Sequence, residues 1–378
     1  MNEAMQQLER SEGYLAVDPD NIELLARVID LSLAAGQPER AERHALAAVR
    51  RYPDDDFLLA RLGTAHLARR QWEEAATVFA ALLARRADVN LAYNLAYAQL
   101  WLGRHADAYA AMAPYLETAA LSAPMVTLLV RAMHHLGEGQ RAIALAEARM
   151  AECGDDPALL AALSLVCLDE GELERAEKFS AAALAAGGER RAPLEALVTA
   201  GSLALARTDG DAATAHFERV LALNPDEGRS WSGLGTASLL KRDLPAAQHQ
   251  MEQAVKHMPS HIGSWHLLGW SRLLDGKIDG ARAAFDTALG LDRNFGESHG
   301  ALAVVQAMQG QRAQAEAGIA RAQGLDGEGL SARYAQMILS GQTQDPERFR
   351  ALAMRLLSTR QGAFGQNVGD VLKRYEAK

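Results

Sequence analysis

The sequence predicts an all-α solenoid of antiparallel helix pairs, and three observations carry that prediction. A period of about 34 residues runs through most of the chain, an alanine returns at one fixed place in every period, and the composition is alanine-rich and aromatic-poor. Alanine loses no side-chain entropy in a helix and lets neighbouring helices approach closely, so such a chain suits close-packed helices.

The elements follow in order. Residues 1–21 read as an N-terminal capping helix with Met5, Leu8 and Leu15 on one face, the kind of polar-backed end that a repeat array requires. Residues 22–329 read as nine repeats. Counting from Ile22, the fifteenth position of each is Gly36, Arg70, Gly103, Gly137, Gly171, Thr208, Arg242, Gly276 and Gly310. Five residues later stands Ala41, Ala75, Ala108, Ala142, Ala176, Ala213, Ala247, Ala281 or Ala315, where a second helix must cross the first at close range. The seventh position is a core seam: Val28, Leu62, Leu95, Leu129, Leu163, Ala200, Leu234, Leu268 and Leu302. The eighth is small in seven repeats, whereas Ile29 and Val130 are expected to weaken theirs. The one long repeat takes its extra residues in the 187–193 stretch, which reads as a loop. Pro19, Pro53, Pro225 and Pro259 fall at repeat ends, where proline stops a helix. Residues 330–378 read as a C-terminal helical cap, with helices over 345–359 and 364–376 and an apolar stripe of Phe364, Val368, Val371, Leu372 and Tyr375.

Two repeats spell the pattern out: Trp231-x-x-Leu234-Gly235 through Ala247, Met251, Ala254 and Pro259, then Trp265-x-x-Leu268-Gly269 through Ala281, Phe285 and Ala288. This resembles the tetratricopeptide-repeat signature. The resemblance implies a right-handed superhelix of helix pairs, core positions for Trp231 and Trp265, and a concave groove lined by the first helices in which extended peptides lie.

At 100° per residue, positions 2, 5, 6, 9, 12 and 13 of a first helix share the face opposite the core seam. In the early repeats this face is polar and hydrogen-bonding: Arg27, Arg61 and Asn94 form a ladder at position 6, beside Thr64, Asn90, Tyr93, Tyr97, Trp101, Arg131, His134 and His135. An Asn amide offers a donor and an acceptor to a peptide, and an Arg fork takes a carboxylate. The competing reading pairs these arginines with acids such as Asp30. In the later repeats the face turns apolar at Leu239, Leu240, Trp270, Leu273 and Leu274, with Ser232, Thr236 and His266 among them. Trp270 is expected to be exposed. The partner-binding candidates are Arg27, Arg61, Thr64, Asn90, Asn94, Tyr97, Trp101, Arg131, His135, Thr236, His266 and Trp270.

Chemistry is harder to find. No nucleophile elbow, zinc-protease helix or phosphate loop is present. Ser238-Leu239-Leu240-Lys241 lacks companion motifs, and His134 with His135, or His257 with His261, has no third ligand at metal spacing. Cys167 takes a core slot, and Cys153 has no cationic neighbour in sequence to activate it. The expectation is therefore a non-enzyme without cofactor or metal. No run of about 18 apolar residues could span a bilayer. The start lacks a signal-peptide core, which points to the cytoplasm. A net charge of −9 argues against a nucleic-acid partner. The expected function is a scaffold, adaptor or chaperone that holds another protein or a peptide segment. A ligand-sensing regulatory solenoid is the alternative, and a part in secretion or envelope assembly ranks third. The sequence is silent on oligomeric state.

Overall fold

The computed structural model describes residues 3–117, 120–188 and 192–344. Among these the chain is an all-α solenoid without a strand, as expected. It forms two compact units, one ending at Val166 and the other beginning at Cys167. In the first, α1 (Glu3–Val17) precedes the pairs α2 (Ile22–Ala34) with α3 (Pro38–Arg51), α4 (Asp56–Ala68) with α5 (Trp72–Arg85), α6 (Val89–Trp101) with α7 (His105–Met112), and α8 (Ala123–His135) with α9 (Gly139–Cys153). The boundary falls inside α10 (Pro157–Asp169). The second unit continues with α11 (Leu173–Gly187). Its pairs are α12 (Leu194–Ala206) with α13 (Gly210–Leu223), α14 (Gly228–Leu240) with α15 (Leu244–His257), α16 (Ile262–Leu274) with α17 (Ile278–Leu291), and α18 (Gly296–Met308) with α19 (Arg312–Leu325). Then comes α20 (Leu330–Leu339), packed on α18. The expected helices over 345–359 and 364–376, with their apolar stripe, lie outside the described residues.

Each first helix stops for a local reason. All nine fifteenth-position residues have left-handed backbone, with φ of 69° at Gly36 and 78° at Gly171. Arg70, Thr208 and Arg242 adopt it without the freedom of glycine, at 59°, 60° and 60°. The next residue donates its N–H back to the carbonyl five residues earlier, as Gln37 does to Ser32 at 2.8 Å and Asp209 to Ala204 at 2.9 Å. That left-handed cap satisfies the carbonyls a helix end leaves free and turns the chain into the second helix. Side chains of Asn21, Asp55 and Asp88 close the opposite ends of α2, α4 and α6.

The nine recurrent alanines have no exposed surface at all. At the eighth position a second rule operates. A Cβ added to Gly63, Gly201, Gly235 or Gly269 would sit 2.3–2.8 Å from Phe79, Phe217, Met251 or Phe285 on the second helix of the same repeat. Where the eighth residue is large, the facing one is small: Ile29 matches Ala45, and Val130 matches Ala146, all four fully buried. The expectation that Ile29 and Val130 weaken their repeats is therefore corrected. Volume is conserved across the pair, and cores tolerate such exchanges best. α1 joins α3 through Glu12, which accepts from Arg40 Nε at 2.6 Å and faces His44 Nε2 at 2.8 Å. The hydrogen bond from Arg40 holds the Glu12 carboxyl below its ordinary range.

Candidate functional site

The first-helix face differs sharply between the two units, and each is built from its own repeats. In the first unit, α2 and α4 enclose a groove of ≈380 Å³ bordered by Arg27, Asp30, Leu31, Phe57 and Arg61. Arg27 is exposed there. Arg61 is not a free reader: its Nη2 reaches Asp30 Oδ2 at 2.8 Å, and its guanidinium lies 3.6 Å over the Phe57 ring. The ladder expectation is corrected at this rung. Asp30 at position 9 of one repeat stands beside position 6 of the next, so the acid neutralises the arginine before any partner arrives. Phe57, at position 2 of α4, is 52% exposed, an apolar surface that the polar pattern of this face does not signal. Thr64 is exposed but donates to its own helix at Ala60 O.

Farther along, α6 carries an aromatic strip. Tyr93, Tyr97 and Trp101 follow one another at ring separations of 6.2 and 6.4 Å. Trp101 stacks on Trp72 at 5.4 Å and 9° while remaining 59% exposed. Asn90 is exposed, and the half-buried Asn94 amide has no hydrogen-bond partner among the described residues. Burial raises the Tyr93 hydroxyl pKa, Tyr97 adds to the rise, and nearby Arg131 opposes it. The half-buried Arg131 thus faces this strip. His135 is exposed and stacks on His105 at 4.1 Å, while His134 tilts at 6.0 Å from it. Trp72 and His105 each begin a second helix and reach the last residue of the next first helix. That contact between repeats is invisible to a count made within one repeat.

In the second unit the candidates are less open. His266 is 9% exposed, its Nε2 is 2.8 Å from Ser298 Oγ, and burial lowers its pKa. Trp270 is half-buried between Phe285 at 5.5 Å and Tyr334 at 6.2 Å. Thr236 is half-buried and donates to Ser232 O. His266 and Trp270 are packing residues, because α18 and α20 bring Ser298 and Tyr334 against them. Leu273 is buried and Leu274 is 68% exposed. Trp231 and Trp265 lie at the core margin rather than in it. Each stays half-buried because its indole N–H donates to a carbonyl at the preceding turn, Pro225 O or Pro259 O, at 2.8 Å.

The remaining reactive groups are occupied. Ser238 donates to Gln250 and Lys241 pairs with Asp211 at 2.6 Å, so they do not form a nucleophile and base. His261 caps α16. Burial, with Glu152 and Asp156, raises the Cys153 thiol. Among the described residues no group of three His, Cys, Asp or Glu is placed to hold a metal, and no helix is long and apolar enough to cross a membrane.

A tetratricopeptide-repeat family model matches residues 198–257. No curated protein matches the chain. Among solved structures, the chain is similar to a monomeric mutant of IFIT1 with Gppp-AAAA, at 14% identity over 100% of this chain and 95% of that one, TM-score 0.56. The human IFIT1 dimer with m7Gppp-AAAA is similar at 15% identity over 100% and 94%, TM-score 0.56. A MamA structure, MSR-1 C2, matches 45% of this chain at 21% identity and TM-score 0.38. At 14–15% identity the likeness to IFIT1 shows the fold alone. It also overturns the expectation that nucleic acid is excluded, because the IFIT1 chains of this fold were solved with capped oligonucleotides. A net charge averages over the whole chain, whereas a ligand meets one face.

Proposed function

Given that the chain is a tetratricopeptide-repeat protein, we propose that it is a non-enzymatic binding scaffold whose first unit receives an extended polypeptide segment along its first-helix face. One observation carries this reading: that face keeps large side chains open to solvent, Phe57 and Trp101 above all, beside the unpartnered amide of Asn94. Rigid aromatic surface gives contact area at small entropic cost, and an amide reads backbone N–H and C=O together. The test is capture from a cytosolic extract with wild type beside Trp101→Ala/Asn94→Ala, read by mass spectrometry. A polypeptide retained only by wild type, with an unchanged melting temperature, supports the reading. Equal retention by both would sink it.

A second reading is favoured by the stacked Trp72–Trp101 pair with Arg131 on the same strip. Bases stack on such aromatic surfaces for about 1–3 kcal/mol each. Titration with a capped tetranucleotide, followed by tryptophan fluorescence, separates the two readings. Saturable quenching that vanishes in Trp101→Ala would favour the oligonucleotide.

A further inference from the structure

The aromatic strip of the first unit carries polar groups that its own fold leaves unused. Tyr93, Tyr97 and Trp101 run along α6, and Trp72 stacks on Trp101 from the start of α5. Neither the two indole N–H groups nor the two phenols have a hydrogen-bond partner among the described residues. The polar atoms of Trp72, Tyr93 and Tyr97 are not shut off from water, and Trp101 is 59% exposed. The helix beneath them is uncharged: α6 contains no acidic or basic residue.

Such a strip selects its partner by hydrogen-bond type. An indole N–H donates and cannot accept, and Arg131, which faces Tyr93, adds no acceptor either. The matching chain is one that offers carbonyls without an equal number of N–H groups. Proline fits that description, because it keeps its C=O and has no N–H. The protein already makes the contact twice in its second unit, where the indoles of Trp231 and Trp265 donate to the carbonyls of Pro225 and Pro259 at 2.8 Å. Spacing agrees as well. The rings of α6 succeed one another at 6.2 and 6.4 Å, about two residues of a polyproline II helix at its rise of about 3.1 Å. A chain that is extended before it binds loses little freedom on docking, and aromatic-lined grooves exploit this.

We propose that the strip formed by α6 and Trp72 docks an uncharged, proline-rich segment in the polyproline II conformation, with the indole N–H groups of Trp72 and Trp101 donating to its carbonyls. This rests on the reading of the first-unit face as a polypeptide site and names the chemistry of the segment.

The probe is acetylated, amidated nonaproline, and the control is an uncharged Ala-Ser-Gln repeat of equal length with the same end groups. In NMR titrations of the full chain, nonaproline should shift the indole N–H signals of Trp72 and Trp101. The signals of Trp231 and Trp265, whose donors are occupied, should stay in place. Nonaproline should bind roughly tenfold tighter than the control, the gain expected from its preformed conformation. Trp101→Ala should weaken nonaproline at least about tenfold. Trp72→Phe keeps a ring and removes one donor, and should cost about fivefold; it decides alone if Trp101→Ala fails to fold. Equal or tighter binding of the control, or nonaproline affinity unchanged in both variants, would overturn the proline assignment. Absence of shifts with nonaproline would do the same, and capture from the extract could still uphold the polypeptide reading. Shifts produced by a capped tetranucleotide and by neither peptide would overturn both.

Discussion

The same first-helix face holds its rings differently in the two units. On α4 and α6, positions 2 and 13 present Phe57 and Trp101 to solvent at 52% and 59% exposure. On α16, positions 5 and 9 hold His266 and Trp270, and both are drawn inward against Phe285. The repeat fixes the direction in which a side chain leaves its own helix. Whether that direction ends in water depends on what the next helices bring: Ser298 from α18 reaches His266, and Tyr334 from α20 reaches Trp270. A face on a solenoid is therefore a property of consecutive repeats: at His266 and Trp270 it is closed by later helices, whereas Phe57 and Trp101 stay open to solvent.

The sharpest way to break this comparison is to remove the ring that holds the second face shut. Phe285 is fully buried, and Phe285→Ala should cost about 3–5 kcal/mol. Gly269 faces that ring, with a hypothetical Cβ only 2.3 Å away. Adding Gly269→Ile would copy the Ile29–Ala45 exchange of the first repeat and should recover a good part of the loss, a clear non-additivity between touching residues. Trp101→Ala, by contrast, should cost within about 1 kcal/mol, since the ring is largely exposed. Native-state hydrogen exchange on α16 and α6 reads each effect locally, as suits a repeat array in which stability is distributed. If Gly269→Ile adds its own cost to Phe285→Ala, the volume-exchange account fails.

Acidification should sharpen the contrast. Among the described residues, burial lowers the pKa of three imidazoles in the second unit, His216, His261 and His266, and of one in the first, His105. Arg219 and Arg229 reinforce the shift at His216 and His261, while Glu297 opposes it at His266. A lowered folded pKa means that the unfolded chain takes up protons first. The stability from these neutral rings is whole above the ordinary value of about 6.5, declines below it, and is gone once pH has passed through the folded values. Between pH 7.5 and 5.5, amide protection should therefore fall more in the second unit. His266→Gln should flatten that fall. Greater loss in the first unit would refute the assignment.

How far the sequence carried this picture depends on the range of the interaction. The turns and the core were legible because each is written within one repeat: the residue that must turn left-handed, the alanine under the helix crossing, the seam leucine. Polar candidates were legible as positions and not as states. Arg61 was placed on the right face, but its neutralisation by Asp30 crosses 31 residues of chain. His266 and Trp270 failed for the same reason at spans of 32 and 64 residues. Phe57 and Trp72 carry exposed or stacked surface that a search for hydrogen-bonding ladders passes over. The i, i+4 spacing on α4 already sets Phe57 beside Arg61, and the exchange of Ile29 with Ala45 shows only against Gly63 and Phe79 one period away.

The smallest effect concerns the turns that lack glycine. Six of the nine fifteenth-position residues are glycines and three are Arg70, Thr208 and Arg242, all with positive φ. A β-branched side chain is the worst placed of these, since its branches crowd the backbone in the left-handed region. Thr208→Gly relieves that crowding but enlarges the freedom of the unfolded chain, an opposing contribution of about 0.4–1 kcal/mol. With left-handed strain of about 1–2 kcal/mol, the net gain should be about 0.5–1 kcal/mol at Thr208 and smaller at Arg70 and Arg242. The threonine hydroxyl supplies the one local compensation, donating to Arg207 O at 2.6 Å. Thr208→Ser keeps that hydroxyl without the branch and should fall between threonine and glycine. If serine matches threonine and glycine is the less stable, the hydroxyl bond rather than the backbone decides this turn, and the left-handed cap is held by its Asp209-to-Ala204 hydrogen bond whatever residue occupies it.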